Sequence, residues 1–157
     1  MKKILLYAVV ILGACNANKE KATSAGDINT KTTTDHNVDN TKPESGCYRM
    51  VIHKDSALMN LTVNGKNVSG KLEYRRFEKD SNTGNFSGTI DSNRINAWYS
   101  FQAEGTISVR QVIFKIDGDK LLEGYGDVGA KGDTAYFKYP HALNYENNHP
   151  YSKIACR

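Results

Sequence analysis

No segment of this chain is apolar for long enough to cross a membrane as a helix. The longest unbroken run, Ile4 to Leu12, holds nine residues, about half of the roughly 20 that a spanning helix needs. Charge of one sign is scarce as well: 21 basic residues stand against 17 acidic ones, with no basic block, so the electrostatic footprint of nucleic-acid binding is missing. Histidine occurs only as His36, His53, His141 and His149, never at the spacing that sets two imidazoles on one metal. Asp117-Gly118-Asp119 lacks the further acidic ligands of a calcium loop. No metal and no other cofactor is therefore expected. Helical periodicity is absent too, since no stretch after residue 45 sustains it over ten residues.

Catalytic motifs fail in the same way. Gly124-Tyr125-Gly126-Asp127-Val128-Gly129 matches the dinucleotide fingerprint letter by letter, but that motif needs a helix directly behind it to hold the pyrophosphate. Ala130-Lys131-Gly132-Asp133 reads instead as further turn. Gly84-Asn85-Phe86-Ser87-Gly88 lacks the central serine of a nucleophile elbow. With no nucleophile–base pair to assemble, the chain is not expected to be an enzyme.

What is present begins at the N-terminus. Lys2 and Lys3 precede the apolar run, and Leu12-Gly13-Ala14-Cys15 closes it: a charged region, a short hydrophobic region and small residues before a cut, as in a secretory signal. Leu-Gly-Ala-Cys resembles the bacterial lipobox. That resemblance implies removal of residues 1–14, lipidation of Cys15 and a membrane anchor through it. Without Lys2 and Lys3 the mature chain holds 19 basic and 17 acidic residues, a net charge of +2. With Cys15 assigned to lipid, Cys47 and Cys156 remain and are expected to pair, because disulfides persist in exported proteins. A bridge closing a loop of about 110 residues stabilises by about 4–5 kcal/mol through the unfolded chain.

Between Asn16 and Ser45 the chain is rich in Asn, Thr, Lys, Asp and Ser, with Ile28 and Val38 its only large aliphatics. Such a segment buries too little apolar surface to offset its ordering entropy, so residues 15–45 read as the lipidated cysteine and a flexible tether. The domain proper spans 46–157. Apolar alternation and turn chemistry predict strands near 47–53, 57–63, 67–77, 85–90, 94–102, 107–116, 120–125, 134–138 and 151–156, with Asn64-Gly65 as the strongest hairpin signal. The expected fold is all-β: a single antiparallel meander of eight or nine strands forming a small barrel, its edges joined by the terminal disulfide. With lipobox, strand count and terminal cysteines in hand, the chain resembles the small lipocalin-like barrels of Gram-negative envelope lipoproteins. That resemblance places it in the cell envelope, lipid-anchored at the outer membrane, facing the periplasm or the surface.

Strand parity nominates a site. Arg110 shares a face with Val112, Phe114 and Ile116, Tyr99 with Ile95, Ala97 and Phe101, and Tyr74 and Arg76 with Val68 and Leu72. An arginine inside a barrel must be paired, and Glu104 and Glu123 are the nearest carboxylates in the expected topology. Two uses stay open: a charged mouth that grips a polar ligand, or structural ion pairs at a barrel end. The candidate ligand site is thus Arg110, Glu104, Tyr99, Arg76, Glu123 and Tyr74, for an unknown small polar ligand or glycan fragment. The alternative partner is an envelope protein. Small lipobox barrels include membrane-bound lysozyme inhibitors, and Gly129-Ala130-Lys131 is similar to their Gly-Ala-basic loop, although Asp127-Val128 stands where that motif has serine. An open cavity at Arg110 favours the first partner; a filled interior with a protruding 126–133 loop favours the second.

Overall fold

The computed structural model describes residues 42–156 apart from Glu104, Asn147 and Asn148. The signal segment, Cys15 and most of the tether lie outside these residues. Among the described residues every regular element is a strand: β1 (Gly46–Ile52), β2 (Asp55–Asn64), β3 (Asn67–Arg75), β4 (Asn82–Asp91), β5 (Arg94–Ala103), β6 (Thr106–Asp117), β7 (Lys120–Glu123), β8 (Val128–Lys131), β9 (Thr134–Phe137) and β10 (Ser152–Ile154). Two-residue turns join several neighbours, and their first central residue has positive φ at His53, Gly65, Ser92, Gly118 and Gly132. Glycine tolerates that region without steric cost. The β2–β3 turn is Gly65-Lys66, because Asn64 still pairs with Asn67, so the glycine sits one position earlier in the turn than Asn64-Gly65 as the central pair would place it.

The strands form one sheet in the order β10-β1-β2-β3-β4-β5-β6-β9-β8, with β7 also on β6. It is mostly antiparallel, as expected, but not a simple meander. β6 runs parallel to β9 through Val109–Thr134 and Arg110–Ala135, while its C-terminal half pairs antiparallel with β7 through Phe114–Glu123 to Asp117–Lys120. Residues 128–131, across the expected glycine-rich loop and the start of the turn expected at 130–133, form β8 and pair with β9 around Gly132-Asp133. The ladder does not run round into a continuous ring. The β7 and β10 ends meet at one bridge, where Leu121 N–H donates to the Tyr151 carbonyl at 3.2 Å and Tyr151 N–H to the Leu121 carbonyl at 2.8 Å. Cys47 and Cys156 are disulfide-bonded, with Cα atoms 5.2 Å apart.

One face of the strands forms the core, from Tyr48, Met50, Met59, Leu61, Leu72 and Phe86 round to Ile95, Tyr99, Phe114, Leu121 and Tyr151, all buried. Glycine at inward positions leaves room there for the neighbouring backbone. A Cβ on Gly70, Gly84 or Gly88 would meet the backbone oxygens of Asn60, Ser100 and Asn96 at 1.8, 2.0 and 2.1 Å, so no side chain fits where the neighbouring backbone approaches this closely. The segment 139–145 packs against the β7 exit: a Cβ on Gly124 would meet Leu143 at 2.7 Å and Tyr145 at 3.0 Å, and Tyr125 and Asn144 exchange backbone hydrogen bonds.

Candidate functional site

β6 gives up one edge to two strands, and the site lies where they part. Beyond Glu123, Gly124 N–H still donates to the Ile113 carbonyl at 2.8 Å, and the chain then leaves β6. β9 joins only at Val109 and Arg110. Between them Gln111 replaces the ladder with its side chain, its Oε1 accepting from Phe137 N–H at 3.0 Å and its amide donating to Asn96 Oδ1 at 3.0 Å. The gap holds a cavity of about 320 Å³ lined by Arg110, Gln111, Glu123, Tyr125, Tyr136 and Phe137 among others. A wider depression of about 540 Å³ beside the disulfide is lined by Arg49, Asn60 and Arg75, but no buried charged group reaches it.

Inside the gap, inward parity brings Arg110 beside Tyr99, its direct partner across β5–β6. Glu123 enters from β7, opposite Phe114, and is 6% exposed. The Tyr74 hydroxyl donates to Glu123 Oε1 at 2.7 Å and the Tyr151 hydroxyl to Oε2 at 2.8 Å. The Arg110 guanidinium lies 3.8 Å from Glu123 Oε1, close enough to pair electrostatically and too far for a hydrogen bond. It also lies 4.5, 5.5 and 5.9 Å from the ring centres of Tyr74, Tyr99 and Phe101, within cation–π range. Tyr74 meets Tyr99 edge-on and Tyr99 stacks on Phe101. The Arg110 Nε–H and the Tyr99 hydroxyl are buried without a hydrogen-bond partner in the protein.

The electrostatics follow from this burial. Tyr74 and Tyr151 are held well above the ordinary tyrosine range, first by burial and then by the Glu123 charge. Burial pushes Tyr99 up to about 12 against the opposing pull of Arg110. Tyr125, at the cavity rim, is also pushed up to about 12, by burial and Glu123, with Arg110 and Arg76 pulling the other way. Burial works against the Arg110 charge, yet Tyr74, Glu123 and Tyr99 together raise its pKa, so it stays protonated.

Four of the six residues nominated from strand parity, Arg110, Glu123, Tyr99 and Tyr74, therefore converge. Arg76 does not: β3 ends at Arg75, and Arg76 lies exposed in the turn that follows. There Phe77 N–H donates to Asp55 Oδ1 and Lys54 covers the Phe77 ring. Glu104 lies outside the described residues. Parity reasoning missed Tyr151, Gln111, Tyr125 and Tyr136. Tyr151 carried a usable signal, an aromatic at the head of the last strand, but its pairing with Leu121 on β7 was not legible. Among the described residues no group of three or more His, Cys, Asp or Glu side chains gathers as a metal site, and no helix is long and apolar enough to cross a membrane. Comparison of the chain with protein-family models, with curated proteins and with solved structures finds no match.

Proposed function

We propose that this protein is a lipid-anchored binding module of the cell envelope. In this reading Cys15 tethers it to the outer membrane, and a barrel-like domain takes a small polar ligand or glycan fragment into the cavity beside Arg110 and Glu123. The observation that carries the reading is a half-buried guanidinium and a buried carboxylate, 3.8 Å apart, both lining a cavity of about 320 Å³. Pockets of about this size and larger hold small molecules, with a few polar groups fixing orientation. The barrel-like wall is supported by the inward glycines, which admit close approach of the neighbouring backbone, and by the bridge and disulfide that bring the first and last strands to their neighbours. In this reading the role is capture rather than turnover. The inhibitor reading required a protruding loop at 126–133. Gly129, Ala130 and Lys131 pair with β9 in an exposed edge hairpin, so the support for the small-ligand reading is the open cavity at Arg110.

Native mass spectrometry of the mature protein, released gently from its membrane, tests both halves. The expected spectrum carries a lipidated Cys15 and an adduct of small mass that is absent in Arg110→Ala. A Cys15→Ser precursor that still incorporates labelled palmitate refutes the anchor. A wild-type protein free of any adduct, which also takes up none from an envelope extract, refutes the binding module.

A further inference from the structure

The chemistry lining the cavity restricts its ligand, given the reading of that cavity as a binding site. Charge comes first. Arg110 and Glu123 face the same space 3.8 Å apart, so their fields largely cancel for a third group placed beside both. A carboxylate or phosphate gains from Arg110 and loses to Glu123, and an amine does the reverse. Among the described residues no other charged side chain lines this cavity; Arg76 acts only on Tyr125 at its rim. Hydrogen bonding comes second. Each Glu123 oxygen already accepts from a tyrosine, whereas the Arg110 guanidinium, its side chain 29% exposed and lining the cavity, lies too far from Glu123 for a hydrogen bond. The protein groups here are short of acceptors, which a ligand supplies with a carbonyl or ether oxygen. Third, the rim is aromatic: Tyr125 and Tyr136 line the cavity yet remain 50% and 40% exposed, and such amphipathic rings bind apolar surface and polar groups together.

We infer that the cavity takes a neutral sugar of one or two residues, bearing an acetamido or similar uncharged acceptor directed at Arg110, with its C–H face against Tyr125 and Tyr136. A sugar offers both halves of this match, ring C–H surface and oxygen acceptors, without a net charge for the ion pair to reject.

Isothermal titration on the mature protein tests this with three disaccharides of one skeleton: N-acetylated and neutral, carboxylate-bearing, and deacetylated with a free amine. The neutral form is expected to bind at least about tenfold tighter than either charged form. Tyr125→Ala, at an exposed position, should weaken it by about tenfold. Glu123→Gln leaves Arg110 uncompensated and should move the preference toward the carboxylate-bearing sugar. A charged form that matches or exceeds the neutral one in the wild type overturns the ligand class and leaves the cavity standing as a site. If none of the three binds while native mass spectrometry still finds an Arg110-dependent adduct, the sugar assignment fails and the binding module survives. Absence of both results removes the two together.

Discussion

Replacing Arg110 by alanine probes the buried centre most directly. At 3.8 Å from Glu123 Oε1, an effective dielectric of about 20 gives a gross attraction of about 4 kcal/mol. The stack over Tyr74 at 4.5 Å adds about 0.5–2 kcal/mol. Desolvating two charged groups offsets part of this sum, and the Arg110 side chain remains 29% exposed, which screens the pair. Loss of one partner from a buried pair costs about 3–5 kcal/mol because the other charge is stranded; partial exposure sets the expectation at the lower end, about 3 kcal/mol. Urea denaturation at pH 7 reads this as a lower midpoint with an unchanged slope, and thermal unfolding as a drop of at least about 10 °C. Arg110→Lys should recover only part, since an ammonium has no plane to lay over Tyr74. The double variant Arg110→Ala/Glu123→Ala should cost less than the two single losses added, by about 1–3 kcal/mol of coupling. If Arg110→Ala stays within about 0.5 kcal/mol of wild type, as surface substitutions do, the side chain is not part of a buried pair and the site as described is wrong.

Other consequences can be measured on the same protein. Reducing the Cys47–Cys156 bond, whose partners lie 109 residues apart, should cost about 4–5 kcal/mol, while thiol titration of the unreduced, denatured domain should find neither cysteine free. Gly88→Ala should destabilise by several kcal/mol or prevent folding, since its Cβ would sit 2.1 Å from the Asn96 oxygen and cores yield poorly to overpacking; Gly118→Ala, with open space around it, should cost only the strain of its positive φ, about 1–2 kcal/mol. Tyr99 is pushed up to about 12 in the fold against about 10 in the unfolded chain. Its contribution is thus complete below pH 10 and lost as pH rises to 12, up to about 2.7 kcal/mol. Tyr99→Phe should flatten this alkaline slope in urea titrations at pH 9, 11 and 12, and it should not destabilise at pH 7, because the hydroxyl it removes has no partner.

The parts of the fold that were legible in the sequence are those with local causes. Alternation such as Ile95, Ala97, Tyr99 and Phe101 fixed the inward face of β5 before any coordinates, and the same parity set Arg110 inward. Cys47 and Cys156 paired by elimination once Cys15 was set aside. What stayed hidden is non-local. β8 is four residues with a glycine inside, Val128-Gly129-Ala130-Lys131, too short and too polar to register as alternation. The parallel β6–β9 pairing joins Val109 to Thr134 across an intervening hairpin, and no spacing rule foretells it. Since Tyr151 reaches Glu123 through the equally non-local Leu121–Tyr151 bridge, its part in the site could not be read either. Arg76 misled because the alternation of the third strand runs in the sequence up to Arg76, one residue beyond the end of β3 at Arg75, where Asp55 captures the next amide, that of Phe77.

The pairing of β1 with β10 has a consequence for the order in which the chain is made. A ribosome adding about 5–20 residues per second exposes Cys47 about 5–20 s before Cys156. Hairpins such as β1–β2 close within about 1–10 μs. In the proposed reading the chain emerges N-terminus first on the far side of the membrane. The meander from β1 to β6 is therefore able to pair before β10 arrives, while the outer edge of β1 waits bare for its last neighbour. Through that interval Tyr48, Lys153's future partner in the ladder, is open to any passing strand, so a factor that holds the nascent first strand is worth most to this protein early in its life.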